Sequence, residues 1–230
     1  MNNNTIIVFD LETASANPHK CQPTQIAAIA LHSRKLTVEP NGIFNSEICP
    51  IFDDEKAVAM GWDPIQDKAL EITRKTREGL AQAPPLGIVW NKFVNFVNQF
   101  NYKKSNWTAP VPCGYNIINF DMPIIQRLCT QMGQVDKEGK QNLFNSIFKI
   151  DVMDMVFGWT ENNPEIKSRS LTKMAEYYGL PTDNIENAHD ALQDVKNTAN
   201  ILIKFLEFQR NIANKTKFEK AFAGQELRIK

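Results

Sequence analysis

The stretch "IIVFDLETAS", residues 6–15, joins a β-strand pattern to two carboxylates of a kind that a protein core rarely accepts. Its first four residues are β-branched or aromatic, which favours a buried strand. Asp10 and Glu12 follow at positions i and i+2, and side chains with this spacing point to the same face of a strand. Two adjacent carboxylates repel each other unless a cation lies between them. The stretch therefore predicts a strand that ends in a cation site.

Length and composition indicate one globular domain. The chain has 230 residues, of which 43% are hydrophobic and 23% are charged, so it can bury one sizeable core. Its formal net charge is zero, which disfavours a protein that coats nucleic acid through overall positive charge. Residues 201–230, however, contain seven Lys or Arg and three Glu. We expect a single domain over residues 1–212 and a short basic C-terminal tail over 213–230, either in contact with phosphate or simply solvated.

The spacing of the cysteines and the N-terminal residues indicate the cellular location of the protein. Cys21, Cys49, Cys113 and Cys129 are widely spaced and form no C-x-x-C pair, which argues against a structural zinc site and a disulfide framework. The start "MNNNT" lacks the basic region of a signal peptide, and the apolar run after it is too short for a membrane span. We expect a cytoplasmic protein without membrane association.

The apolar patterns along the chain predict both strands and helices. The predicted strands cover residues 5–11, 25–32 and 42–50, with a short strand entering a turn within 109–121. Residues 147–156 are predicted to be a strand or a strand–helix junction. The predicted helices cover residues 66–73, 86–100, 121–133, 170–181 and 187–212. Early strands followed by strand–helix alternation predict an α/β fold with a mixed sheet.

Two further regions place carboxylates near the ends of predicted elements. Asp121 begins a predicted helix directly after the turn "GYNIINF", and Asp194 lies on the last predicted helix, five residues after His189. Mg²⁺ and Mn²⁺ prefer oxygen ligands. Together with Asp10 and Glu12, these residues match the groups that two-metal hydrolysis of a phosphodiester uses.

Spacing alone leaves other roles open for these side chains. Asp121 and Asp190 stand at helix starts, where Asp commonly caps the first turn. Asp190 and Asp194 are four residues apart and would share a helix face, so either could be the ligand. His189, near a helix start, is also compatible with an ordinary surface position.

The motifs, taken together, resemble those of the DEDDh (DnaQ-like) 3′–5′ exonuclease family in the ribonuclease-H-like superfamily. The first family motif is similar to "VFDLET", the second to "GYNIINFD" and the third to "HDALQD". All three stand in the family's order between residues 10 and 194. In the family pattern the position of Asp190 is variable, so the resemblance makes Asp194 the ligand and leaves Asp190 as a helix cap.

The resemblance implies a fold and an activity. The fold is a ribonuclease-H-like mixed central β-sheet flanked by helices on both faces. The activity is metal-dependent 3′–5′ hydrolysis of single-stranded nucleic acid to nucleoside 5′-monophosphates, with DNA slightly favoured. The process stays open between DNA repair, proofreading and nucleotide recycling. One alternative is an exoribonuclease similar to RNase T or oligoribonuclease. Another is a catalytically silent nucleic-acid-binding partner of a polymerase. A polymerase or a second copy of the chain is the expected protein partner.

The resemblance also implies site residues. The catalytic residues would be Asp10, Glu12, Asp121, His189 and Asp194. Two Mg²⁺ or Mn²⁺ ions are expected, the first held by Asp10, Glu12 and Asp194 and the second by Asp10 with Asp121. His189 would be the general base, since an ordinary histidine pKa of about 6.5 suits proton removal at neutral pH. The residues expected to contact substrate are Leu11, Thr13, Asn116 and Phe120, and the side chain of Leu11 would pack against the last base as an apolar wedge.

The chain departs from the family pattern in three places outside these catalytic positions. The family's common Thr-Gly after the first motif is Thr13-Ala14, and Gln25 occupies a position where many relatives have Glu. Residues 46–85 match poorly. These departures affect the fit of the substrate rather than the chemistry.

Overall fold

A five-stranded mixed sheet forms the centre of the molecule in the computed structural model, which describes residues 5–181, 190–217 and 220. The strands are β1 (Ile6–Thr13), β2 (Pro23–Leu31), β3 (Val38–Glu47), β4 (Val111–Gly114) and β5 (Ile150–Asp151). Their order across the sheet is β3-β2-β1-β4-β5, with β1–β2 and β2–β3 antiparallel and β1–β4 and β4–β5 parallel. The predicted mixed central sheet is confirmed.

Helices cover both faces of the sheet. The described helices are α1 (Asp54–Ala59), α2 (Asp67–Thr73), α3 (Arg77–Ala81), α4 (Leu86–Asn98), α5 (Asp121–Gln131), α6 (Val152–Thr160), α7 (Leu171–Tyr177) and α8 (Ala191–Thr216). The apolar residues of α4 and α5 pack on one face of the sheet, and those of α6, α7 and α8 pack on the other. This two-faced arrangement is the one that the ribonuclease-H-like resemblance implies.

The alternation of side chains along β1 divides the core in two. Ile7, Phe9 and Leu11 point into the core shared with α4 and α5, whereas Ile6 and Val8 point into the core shared with α8. Phe9 stacks on Phe144 with ring centroids 5.2 Å apart. The strand is therefore anchored on both faces before it reaches its carboxylates.

The structure differs from the sequence prediction at several boundaries. Residues 46–85 hold the three short helices α1, α2 and α3 rather than one, because Asp53 and Thr76 accept hydrogen bonds from backbone N–H groups and begin α1 and α3. Strand β3 starts at Val38, earlier than predicted. The last helix extends to Thr216 and so includes the first residues of the predicted tail.

No helix in the described part of the chain has the length and apolarity needed to cross a bilayer. The four cysteines are all described, and none is in a disulfide bond.

Candidate active site

Three carboxylates from β1 and α8 converge at one end of the sheet. Asp10 and Glu12 point from the α8 face of β1, and Asp194 lies in the first turn of α8. Each of the three offers an oxygen within 4.8 Å of the oxygens of the other two. The convergence follows from the packing of α8 across β1 through the buried residues Ala191 and Val195.

The position of Asp194 is fixed by the capping of α8. Asp190 accepts hydrogen bonds from the backbone N–H groups of Leu192 (3.0 Å) and Gln193 (3.2 Å), so it is the helix cap. Its other carboxylate oxygen accepts a hydrogen bond from Nε2 of Gln25 on β2 (3.2 Å). The structure thus assigns the two acids of this helix start to different tasks, as the resemblance implied: Asp190 caps the helix and Asp194 joins the carboxylate group.

The carboxylate group is electrostatically strained. Burial, followed by the charges of Asp194 and Asp190, raises the pKa of Asp10 to about 7. Burial and then the charge of Asp10 raise the pKa of Glu12 to about 8. Burial and the charge of Asp190 raise the pKa of Asp194 to about 6. Each pKa is raised because desolvation and like charges disfavour the ionised form, and a bound cation would oppose both effects.

Asp121 borders this group without being one of its three members. Its carboxylate is almost fully buried, and its Oδ1 accepts a hydrogen bond from the backbone N–H of Leu11 at 3.1 Å. Leu11 stands between Asp10 and Glu12, so this bond ties the start of α5 to the carboxylate end of β1. Burial, and then the charge of Asp10, raises the pKa of Asp121 well above its ordinary value. The capping alternative for Asp121 is wrong, because the N-cap residue of α5 is Phe120.

The turn before α5 is held by a carboxylate that the sequence analysis missed. Asp151, at the end of β5, accepts hydrogen bonds from the backbone N–H groups of Asn116 (2.8 Å) and Ile118 (3.1 Å). It also accepts one from the N–H of Met153 (3.0 Å) and so caps α6. Asn116 has a φ of 63°, in the left-handed region, where Asn is one of the more tolerant residues. The sequence signal for Asp151 is an acid between a short strand and a helix, which by itself indicates only a cap.

The predicted substrate residues differ in how far they are exposed at the site. The side chain of Leu11 is only 4% exposed and belongs to the apolar core, so Leu11 offers the site its backbone rather than an apolar wedge. Thr13 is also buried and donates its hydroxyl to the carbonyl of Ser15. Asn116 and Phe120 are half-buried at the turn before α5. His189 lies outside the described residues.

A nearly buried lysine is the second residue that the sequence analysis missed. The side chain of Lys75 is 7% exposed, and its Nζ donates to Oε1 of Gln25 at 2.8 Å and lies 3.1 Å from Oε1 of Glu47. Gln25 pairs directly with Glu12 across β1 and β2, and the charge of Lys75 partly offsets the raised pKa of Glu12. No local pattern identifies Lys75, because it follows α2 in the poorly matching segment and reaches the site only through tertiary structure.

The donor set suits a hard divalent cation. Asp10, Glu12 and Asp194 supply carboxylate oxygens at close range, and Mg²⁺ and Mn²⁺ are held by a few such oxygens together with water and substrate phosphate. Burial and neighbouring carboxylates raise the pKa of each of the three groups, and a bound cation would lower it. These residues therefore fit a metal centre.

Comparison with known proteins agrees with the geometry. The sequence profile of the RNase T family, described as "Exonuclease", matches residues 7–202. A search of curated proteins finds no match. Among solved structures, cell-death related nuclease 4 superposes with a TM-score of 0.64 at 18% identity, covering 90% of this chain and 65% of that chain.

Two further structures share the fold. Exonuclease I of E. coli, solved with a dA16 oligonucleotide, gives a TM-score of 0.65 at 18% identity and covers 86% of this chain and 40% of its own. A 3′-exonuclease solved for its recognition of a histone mRNA stem-loop gives a TM-score of 0.61 at 17% identity, covering 90% of this chain and 83% of its own. This chain therefore spans less than half of exonuclease I and about two thirds of the nuclease 4 chain. The family match covers most of the sequence, and the chain belongs to the RNase T exonuclease family of DEDDh-type 3′–5′ exonucleases.

Proposed function

We propose that the protein is a metal-dependent 3′–5′ exonuclease that removes nucleoside 5′-monophosphates from single-stranded nucleic acid. The observation that carries the proposal is the convergence of Asp10, Glu12 and Asp194, whose carboxylate oxygens lie within 4.8 Å of one another. The membership of the chain in an exonuclease family supports the same reaction class.

The carboxylates would hold two Mg²⁺ or Mn²⁺ ions. Asp10, Glu12 and Asp194 would hold the first, and Asp10 with Asp121 the second. When bound, the ions would lower the pKa of a water molecule and stabilise charge on the attacking and leaving oxygens. The hydrogen bond from Leu11 to Asp121 would keep the two parts of this ligand set in register.

His189 is the proposed general base. It would take a proton from the water whose oxygen attacks the last phosphodiester phosphorus. The bond from phosphorus to the 3′-oxygen then breaks, that oxygen gains a proton, and the terminal nucleotide leaves with a 5′-phosphate. The backbone of Leu11, together with Thr13, Asn116 and Phe120, would contact the terminal nucleotide.

A single strand is the proposed substrate because its 3′ end must enter the site unpaired. The neighbours give support to both kinds of strand: exonuclease I was solved with DNA oligonucleotides, and the histone 3′-exonuclease recognises an RNA stem-loop. We retain DNA as the slightly favoured substrate and an exoribonuclease as the runner-up. We further propose that the protein acts in repair or proofreading and is located in the cytoplasm. Its protein partner would be a polymerase or a second copy of the chain.

The decisive experiment is a gel time course on matched 5′-labelled single-stranded DNA and RNA, with Mg²⁺, Mn²⁺ or EDTA. Asp10→Ala and His189→Ala proteins run beside the wild type, with the exposed Lys204→Ala as a control for the variants. We expect a ladder that shortens from the 3′ end, requires metal, and disappears in Asp10→Ala. The faster strand identifies the substrate.

The same time course, combined with a binding assay on both strands in EDTA, can overturn the proposal. If neither strand shortens, while the wild-type and Asp10→Ala proteins bind both strands equally well, the protein is a binding module rather than a nuclease.

A further inference from the structure

Two neighbouring loops at the end of the sheet opposite the carboxylates expose large apolar side chains beside lysines. Trp107 is 70% exposed and Phe148 is 59% exposed, and Tyr102 is exposed as well. Lys103, Lys104 and Lys149 stand among them and are exposed. We call these six residues the basic aromatic surface.

Buried asparagines hold these loops in place. Asn145 is 2% exposed; its Oδ1 accepts from the backbone N–H groups of Ile147 and Phe148 (3.0 and 2.9 Å), and its Nδ2 donates to the carbonyl of Asn106 (3.3 Å). Asn101 organises the other loop in the same way, accepting from Ser105 N (3.3 Å) and from the hydroxyl of Thr108 (2.7 Å). The exposed aromatic side chains therefore project from an ordered base rather than from a loose tip.

The charge of the surface has one sign. Residues 79–120 contain no Asp or Glu, and neither do residues 139–150. A hollow of about 430 Å³ lies beside the surface and is lined by Asn98, Asn101, Lys104, Ser105, Asn106 and Asn142, none of which is acidic. Amide and ammonium donors without competing carboxylates suit phosphate oxygens.

Aromatic side chains interleaved with lysines are the combination that binds single strands: bases stack on the rings while ammonium groups meet the phosphates. A protein partner would explain the exposed rings equally well. It would not explain the absence of acids over both loops, because protein surfaces usually offer charges of both signs. The charge therefore favours a polyanion.

The pairing of β4 with β1 determines how far the surface lies from the carboxylates. The loop carrying Trp107 enters β4 beside Thr5, since Val111 donates its N–H to the carbonyl of Thr5 (2.9 Å). Asp10 is five residues further along β1, which is about 17 Å at a strand rise of about 3.3 Å per residue. A stacked strand rises about 3.4 Å per nucleotide, so about five or more nucleotides are needed to cover this length.

We infer that the basic aromatic surface is a second contact for the single strand, which holds the part of the substrate upstream of the 3′ end while the carboxylate site acts on that end. This inference rests on the proposed function for its substrate. It predicts that long strands bind more tightly than short ones, and that the surface contributes nothing to a strand too short to reach it.

The test compares a 20-mer with a trinucleotide. Binding of labelled 20-mer is followed by fluorescence anisotropy in EDTA over a range of KCl concentrations, and hydrolysis of the trinucleotide is followed with Mg²⁺. The variants are Trp107→Ala/Phe148→Ala and Lys103→Ala/Lys104→Ala/Lys149→Ala. Matched controls are Phe157→Ala, an equally exposed aromatic on α6, and Lys35→Ala/Lys167→Ala/Lys204→Ala.

We expect the aromatic variant to bind the 20-mer about 10-fold more weakly than wild type. The lysine variant should reduce the slope of log K against log[KCl] by about 2, since each lost phosphate contact on a single strand contributes about 0.7. Hydrolysis of the trinucleotide should be unchanged in both variants and in both controls.

Other results separate the two proposals. Unchanged 20-mer binding in both variants, with the trinucleotide still hydrolysed, overturns the second contact and leaves the exonuclease standing. Weakened 20-mer binding without any hydrolysis by wild type supports the surface and overturns the proposed function. Equal losses in the variants and in their controls also overturn the inference, because the effect would then be general charge or stability.

Discussion

The carboxyl-terminal half of β1 has apolar side chains on one face and acidic side chains on the other. On the α4–α5 face, Phe9 and Leu11 are buried among aromatic and aliphatic neighbours. On the α8 face, Asp10 and Glu12 crowd against Asp194 with raised pKa values. The first face stabilises the fold, whereas the second costs stability whenever its carboxylates are ionised without a cation. Structural and chemical roles are therefore separated by a single residue step.

The largest change in the free energy of unfolding is expected on the apolar face. Phe9→Ala removes a ring that is stacked on Phe144 and fully buried, so we expect the free energy of unfolding to fall by about 3–5 kcal/mol. Urea unfolding measures the loss. The exposed Phe148→Ala is the control and should change the free energy of unfolding by less than about 0.5 kcal/mol. A similar loss in both variants would contradict the division between the two faces.

The opposite result is expected on the carboxylate face. In metal-free protein, Asp10→Asn should raise Tm at pH 8 by at least about 2 °C, the shift that corresponds to about 1 kcal/mol in a chain of this size. At pH 4 the gain should vanish, because Asp10, with a pKa of about 7, is then already protonated in the folded state. Nuclease activity should be lost in the same variant.

The pH dependence of the wild type follows the same rule. The folded pKa values of Asp10, Glu12 and Asp194 lie above those of the unfolded chain, so the folded state binds more protons between about pH 4 and pH 8. The stability of metal-free protein therefore falls as pH rises through this window, as far as these three groups determine it. Mn²⁺ at pH 8 should restore Tm in wild type and far less in Asp10→Asn. An equal Mn²⁺ effect in both proteins would place the ion elsewhere.

The smallest effect concerns Lys75, whose charge acts on Glu12 and whose Nζ donates to Gln25. Lys75→Met removes a positive charge that offsets Glu12, so Mn²⁺ should bind about 3- to 10-fold more tightly, as calorimetry would measure. Lys68→Met, an exposed lysine of the same segment, is the control and should leave Mn²⁺ binding unchanged. Weaker Mn²⁺ binding in Lys75→Met would mean that Lys75 acts by positioning Gln25 and Glu47 instead.

Much of this arrangement could be predicted from local sequence. The apolar run at residues 6–9 predicted the strand, and the i, i+2 spacing of Asp10 and Glu12 predicted their shared face, because a strand's period of two is fixed by its backbone. The helix that carries Asp194 and the possible cap role of Asp190 were predicted from residue patterns and are observed, whereas the family pattern only selected Asp194 over Asp190 as the ligand. These features depend only on neighbours within one or two turns.

Contacts between distant parts of the chain could not be predicted in this way. Lys75 reaches Gln25 from 50 residues away, and Asp151 reaches the N–H of Asn116 from 35. Neither contact has a local signature, since each depends on how loops are placed by the completed sheet. The burial of Leu11 was missed for the same reason, because it depends on how α4 and α5 pack on that face of β1.

The hydrogen bond from Leu11 to Asp121 spans 110 residues, and Asp194 stands 182 positions after Glu12 in the chain. A polypeptide emerging from the ribosome therefore possesses the first two acids long before the third has been synthesised. The carboxylate group forms only after α8 has packed across β1, so its assembly depends on contacts between distant parts of the chain. A chain that stops before Asp194, or in which α8 does not pack on β1, consequently cannot assemble the centre.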